Sequence, residues 1–139
     1  MSIQTWKWVD LPISAEEIQC TQDELGIKLP KPLIETLKIG NGGKPTKKRF
    51  FTQTDNEYIF DSLLNVKQGL DDSIIEVYKE IKNIIPLNYI PFGSDPFGNI
   101  YCVSSNFNYP VSIYIHDGDS QENFVRLDDS YENFMNLLI

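Results

Sequence analysis

Apolar residues recur at helical spacing in four parts of the chain, which predicts four helices that each bury one face. The helices are expected over 14–26, 30–40 and 73–86, and from Ser130 onwards. The first has the clearest boundaries, because Ser14 and Glu17 can form a capping box and Gly26 can supply the positive φ that ends a helix. Pro30 or Pro32 suits the first turn of the second helix, where a missing N–H costs no hydrogen bond.

Runs rich in aromatic and β-branched residues predict strands between these helices. The segment 49–61 contains two such runs on either side of Asp55 and Asn56, and we expect a hairpin that turns there. The last third of the chain predicts an antiparallel meander, because turn residues separate its β-prone runs. The expected strands of this meander are 89–92, 100–104, 111–116 and 124–127.

The stretch 3–9 alternates loosely between apolar and polar residues, with Trp6 and Trp8 on one parity, and indicates an early strand or an extended arm. The resulting order is helices, hairpin, helix, meander, helix. This order predicts an α+β fold in which helices pack against a mostly antiparallel sheet. Residues 1–139, of which 41% are hydrophobic and 23% charged, are expected to form a single domain with its own core.

Cysteine usage and hydropathy indicate the compartment. Cys20 and Cys102 lie far apart in sequence without a CxxC pair or neighbouring histidines, so we expect two reduced, partly buried thiols, with a disulfide as the alternative. No basic segment leads into an apolar run near Met1, and no run of about 18 apolar residues occurs. We therefore expect a cytoplasmic protein without a membrane partner.

Acidic side chains outnumber basic ones by 20 to 12, which sets the formal net charge at −8. A field of this sign repels phosphate backbones, so we expect no nucleic-acid partner. It would instead draw a basic protein, such as a nuclease, toward the surface. A plain role in solubility is the alternative explanation of the charge.

Candidate catalytic and metal sites are few. His116 is the only histidine and precedes Asp117 and Asp119, which suggests a base beside two carboxylates, but the Asp-Gly pair between β-prone runs favours a type I′ turn. With Asp128, these aspartates match positions one, three and twelve of a calcium-binding loop. Position six, which must be glycine in such a loop, is Glu122. The sequence therefore predicts no metal site.

A glycine-rich run at 40–43 precedes Lys44, but its spacing differs from that of a phosphate-binding loop, and it follows a predicted helix instead of opening one. We interpret it as a helix end. No nucleophile motif is present, and neither cysteine has a cationic cluster beside it in sequence. The sequence predicts no catalytic residue and no cofactor; catalysis by residues distant in sequence is the alternative.

Three patches of the sequence stand in a recognisable order. The first covers 24–30 and continues to 41–43, the second covers 90–99, and the third covers 130–138. Together they resemble the SUKH superfamily, which includes bacterial immunity proteins and yeast cell-wall assembly regulators. The chain departs from the pattern at Tyr131, where phenylalanine is more usual.

This resemblance implies an α+β domain without catalytic residues that binds and inhibits a cognate protein toxin, often a nuclease. A regulatory protein-interaction module, similar to the yeast proteins, is the alternative. The motif residues are expected to define the fold, with partner contact as their lesser role: Leu25, Gly26, Leu29, Pro30, Asn41, Gly42, Gly43, Pro91, Gly93, Asp95, Gly98 and Asn99. As rim contacts to a basic toxin we expect Asp55, Glu57, Asp117 and Asp119, with exposed Tyr or Phe side chains as anchors. The sequence carries no indication of an oligomeric state.

Overall fold

The computed structural model describes residues 6–10, 12–45, 48–52, 56–67, 69–117 and 123–138. Within these ranges it contains four α-helices and nine short strands. The helices are α1 (Ala15–Leu25), α2 (Lys31–Gly40), α3 (Ile74–Ile81) and α4 (Tyr131–Asn136). The strands are β1 (Trp6–Lys7), β2 (Lys44–Pro45), β3 (Arg49–Phe51), β4 (Glu57–Ile59), β5 (Ser62–Leu63), β6 (Tyr89–Ser94), β7 (Ile100–Ser104), β8 (Val111–Tyr114) and β9 (Phe124–Asp128).

The principal sheet is a five-stranded antiparallel meander in the order β5-β6-β7-β8-β9. The predicted meander and the α+β class are therefore confirmed. The short strand β5 was not predicted; it pairs with β6 and adds one edge to the sheet. Two further pairs, β1 with β2 and β3 with β4, form small separate sheets.

The predicted hairpin is confirmed, since Arg49 pairs with Ile59 and Phe51 with Glu57 in antiparallel register. Asp55, at its expected turn, lies outside the described residues.

The described part of the N-terminal stretch forms a strand of only two residues. Trp6 pairs with Pro45, and its ring packs edge-on to Phe60 at a centroid distance of 6.4 Å. Trp8 is 82% exposed and has a φ of 58°. This positive φ ends the extended conformation, so the alternation of the sequence does not place both tryptophans on one buried face.

Helix starts follow the predicted caps. The capping box is present: Ser14 Oγ accepts a hydrogen bond from Glu17 N–H at 3.1 Å, and Glu17 Oε1 accepts one from Ser14 N–H at 3.0 Å. Gly26 has a φ of 69° and ends α1 as predicted. Before α3, the Ser73 hydroxyl accepts a hydrogen bond from Glu76 N–H at 3.1 Å.

The end of α3 differs from the prediction, which extended the helix to Pro86. The helix ends at Ile81, and a tighter turn follows in which Ile84 N–H donates to the Ile81 carbonyl at 2.9 Å. Pro86 lacks an N–H and restricts only the residue before it, Ile85, so it limits the helix there but does not explain an end at Ile81.

The core is centred on a cluster of buried aromatic rings that joins the β3–β4 hairpin, the main sheet and α4. Phe60 and Tyr101 have ring centroids 4.9 Å apart. Phe134 of α4 packs edge-on against Phe50 at 5.2 Å and against Phe92 at 6.0 Å. Since all five rings are buried, the hairpin and the last helix are held to the sheet by the same cluster.

Candidate partner-binding surface

Most motif residues serve the interior. Those that are buried are Leu25, Leu29, Pro30, Asn41, Gly43, Pro91 and Gly93. Those that are partly or largely exposed lie in turns or at helix ends: Gly26, Gly42, Asp95, Gly98 and Asn99. The buried set offers little side-chain surface for a partner to touch, which favours the structural role expected for it.

Asn41 is the centre of a buried polar network at the end of α2. Its side-chain amide donates to Asn65 Oδ1 at 2.9 Å, and its Oδ1 accepts the Val66 N–H at 2.8 Å. Its carbonyl accepts the Asp10 N–H at 2.9 Å, and the Asn65 amide donates to the Asp10 carboxylate. The network joins three chain segments and supplies hydrogen-bond partners to the buried side chains of Asn41 and Asn65.

Gly93 of β6 packs directly against the ring of Phe60, the residue that follows β4. A Cβ atom built on this glycine would lie 2.3 Å from the Phe60 ring, which is impossible without displacement. Glycine is therefore required by packing at this position.

The β6–β7 turn is built around one carboxylate. Asp95 Oδ1 accepts hydrogen bonds from the backbone N–H groups of Phe97 and Asn99, both at 2.8 Å. Asp95 Oδ2 accepts the Asn99 side-chain amide at 2.7 Å. On the other side, Asn99 Oδ1 accepts the His116 N–H at 3.2 Å, and His116 Nε2 donates to the Phe97 carbonyl at 2.8 Å. His116, which lies just after β8, thus stabilises the β6–β7 turn.

The four predicted rim residues are only partly within the described chain. Glu57 is exposed on β4, and its carboxylate lies 3.8 Å from the Arg49 guanidinium, a solvent-exposed ion pair of small energetic weight. Asp117 is exposed after β8, on the other sheet. Asp55 and Asp119 lie outside the described residues. The role of all four in partner contact stays a prediction.

Acidic charge is concentrated on α1, where every charged side chain is acidic: Glu16, Glu17, Asp23 and Glu24. The helix packs against α3, and its Thr21 hydroxyl donates to the Val66 carbonyl at 3.1 Å. Asp71 and Asp72, both exposed, lie between Val66 and α3 in the sequence. This side of the molecule therefore presents several carboxylates to solvent.

Several large apolar side chains are exposed, and the phenylalanines among them are of the type expected as anchors, although the sequence did not locate them. The exposed apolar side chains include Trp8, Phe51, Leu87, Phe97 and Phe107. Phe97 and Phe107 lie in turns, where periodicity assigns no face to a residue, so their exposure follows only from the folded chain.

Buried titratable groups are inert at neutral pH. Burial raises the pKa of the Cys102 thiol and of the Tyr131 and Tyr101 hydroxyls well above their ordinary values, so all three stay protonated. Cys102 is buried as expected, whereas Cys20 is exposed on α1, and both thiols are free. Among the described residues, no three His, Cys, Asp or Glu side chains are grouped so as to hold a metal ion. No helix within the described ranges is long and apolar enough to cross a bilayer.

The α+β class is what the SUKH resemblance implies, and the turn held by the Asp95 carboxylate lies within the second of its motif patches. Residues 12–137 match the model of the SMI1 / KNR4 family (SUKH-1). Since this match covers most of the 139 residues, the chain belongs to the SMI1 / KNR4 family (SUKH-1). No curated protein matches the chain.

Proposed function

We propose that this protein is a cytoplasmic immunity protein that binds a cognate, basic protein toxin, with a nuclease as the favoured class. Membership of the SUKH-1 family carries the proposal, because the superfamily includes bacterial immunity proteins. The net charge of −8 and helix α1, whose charged side chains are all acidic, support a cationic partner over nucleic acid or a membrane surface.

Inhibition in this proposal needs occupancy and no chemistry. A toxin that acts on nucleic acid must expose cationic side chains to phosphates, and an acidic protein surface competes for those same side chains. Long-range attraction raises the association rate, while buried apolar contacts slow dissociation. The protein then acts by covering the toxin, and it turns over no substrate.

Co-expression tests the proposal. The C-terminal domain encoded by the neighbouring large gene is induced in bacteria with and without this protein. We expect growth arrest with the domain alone and normal growth when both are present. Equal growth arrest in both cultures would contradict the proposal.

The second candidate is a regulatory module that bridges signalling proteins, since the superfamily also includes yeast cell-wall assembly regulators. Genomic context and pulldown separate the two candidates. An isolated gene whose product retains housekeeping proteins in a pulldown would favour regulation over immunity.

A further inference from the structure

An open groove of about 420 Å³ lies between the C-terminal half of α3 and the β6–β7 turn. We call it the Phe97 groove; its main lining residues are Glu80, Ile81, Ile84, Phe97, Ile100 and Tyr114. Two of its apolar side chains face solvent, since Phe97 is 67% exposed and Ile84 54% exposed. Exposed apolar surface gathered in a concavity is typical of a protein contact site.

Phe97 is held in place before any partner arrives. Its N–H donates to the Asp95 carboxylate and its carbonyl accepts from His116 Nε2, each at 2.8 Å. The backbone on both sides of the exposed ring is therefore ordered in the free protein. Binding through a residue whose backbone is already ordered loses less conformational entropy, which is a property of binding anchors.

Glu80 is the one acidic side chain in the lining of the groove, and Asp117 follows His116, another of its lining residues. Lys79, which pairs with Glu76 at 3.6 Å, and Lys82 flank Glu80 at the end of α3 without lining the groove. Among the described residues, no lysine or arginine lines the groove. A second copy of this chain would bring the same acidic groups and the same net charge of −8, so the charge pattern favours a different, cationic occupant.

We infer that the Phe97 groove is the surface on which a basic partner protein docks. The partner inserts an apolar side chain between Phe97 and Ile84, and its lysine or arginine side chains face Glu80 and Asp117. The identity of the partner as a toxin rests on the proposed function. The inference adds the surface through which that partner is bound.

The first experiment compares two exposed phenylalanines. Phe97→Asp is matched with Phe107→Asp, because Phe107 is 83% exposed in a different turn, beside a mostly polar groove. The probe is the C-terminal domain encoded by the neighbouring gene, with Kd measured by calorimetry. We expect Phe97→Asp to weaken binding by about 30-fold or more and Phe107→Asp to change it by less than about threefold. Circular dichroism and Tm show that both variants are folded.

A charge-reversal pair separates local from overall electrostatics. Glu80→Lys and Glu24→Lys change the net charge equally, but only Glu80 lines the groove. We expect the loss of affinity to be at least about fivefold larger for Glu80→Lys. Equal losses for both variants would show that only the net charge matters and would overturn the assigned surface.

Failure of the inference and failure of the proposed function give different results. If the neighbouring domain binds the wild type and Phe97→Asp equally well, the groove is not the contact surface, although the immunity role stands. If the neighbouring domain does not bind the wild type, the immunity role fails. A phage-displayed library of random peptides then tests whether the Phe97 groove is a contact surface. We expect enriched peptides to combine apolar with basic residues and to lose binding to Phe97→Asp but not to Phe107→Asp. Enriched peptides that still bind Phe97→Asp, or no enrichment, would overturn the inference.

Discussion

At the scale of single residues, stability depends on a few buried polar groups as much as on apolar ones. Asn41 is buried, and its side chain gives one hydrogen bond to Asn65 and accepts one from Val66 N–H. Loss of such a buried amide costs free energy, because its hydrogen-bond partners also lie in the interior and water does not readily replace it there.

We predict that Asn41→Ala lowers the free energy of unfolding by about 1–3 kcal/mol, since it leaves the Val66 N–H without a partner and removes one of the two hydrogen bonds to Asn65 Oδ1, which the Lys67 N–H also reaches. Urea denaturation followed by circular dichroism measures the change as a lower midpoint with an unchanged m-value. The control is Asn136→Ala at an exposed position of α4, where we expect a change within about 0.5 kcal/mol. Equal stability of Asn41→Ala and wild type would show that the network contributes nothing.

At the scale of secondary-structure elements, the close contact between the hairpin region and β6 depends on the missing side chain of Gly93. A methyl group there would overlap the Phe60 ring, which belongs to the central aromatic cluster. Because that cluster also holds α4, a disturbance at Gly93 reaches several elements.

We predict that Gly93→Ala destabilises the protein by about 1–3 kcal/mol, the usual cost of overpacking a dense core. Thermal unfolding should then show a Tm lower by several degrees. Gly69→Ala tests whether any added methyl group has this effect near the surface; no atom lies within 4 Å of its Cβ, although its φ of 87° adds backbone strain. A Gly93→Ala variant as stable as wild type would contradict the packing argument.

The sequence predicted those elements whose boundaries are determined by local chemistry. The caps at Ser14 and Ser73 need only residues three positions away, and the hairpin and the meander are marked by turn residues. Strand β5, in contrast, has two residues, too few for a periodic pattern, and exists because β6 lies beside it.

The candidate site was less predictable for the same reason. Charge alone predicted acidic rim residues. An exposed aromatic anchor was expected too, but the sequence did not identify Phe97 as that residue. Its backbone is held by a hydrogen bond from His116, which is 19 positions away in the turn after β8. Asn65, the partner of Asn41, was missed as well, because its burial depends on contacts made across the fold.

At the scale of the whole molecule, the buried thiol of Cys102 and the buried hydroxyls of Tyr131 and Tyr101 make the free energy of unfolding decrease at alkaline pH. Burial raises the pKa of Cys102, Tyr131 and Tyr101 above their ordinary values of 9.0 for the thiol and 10.0 for the hydroxyls. The unfolded chain releases these protons near the ordinary values, while the folded chain keeps them. Their contribution is therefore complete below about pH 9 and is lost as the pH rises further.

We predict that the free energy of unfolding falls steeply between about pH 9 and pH 11, by up to about 1.4 kcal/mol per pH unit for each group. Tyr131→Phe should make this fall shallower, because it removes one proton difference, and should cost about 1 kcal/mol at neutral pH through the lost hydrogen bond to Thr36. Urea unfolding at a series of pH values measures both effects. Parallel curves for the variant and wild type would refute the assignment of Tyr131.

The β6–β7 turn separates two tasks between neighbouring residues. Asp95, Asn99 and His116 maintain its shape, whereas the ring of Phe97 contributes little to the interior. Position 97 can thus accept another side chain through a codon change while the scaffold beneath keeps its thermodynamic margin, which under the proposed function would alter the choice of partner.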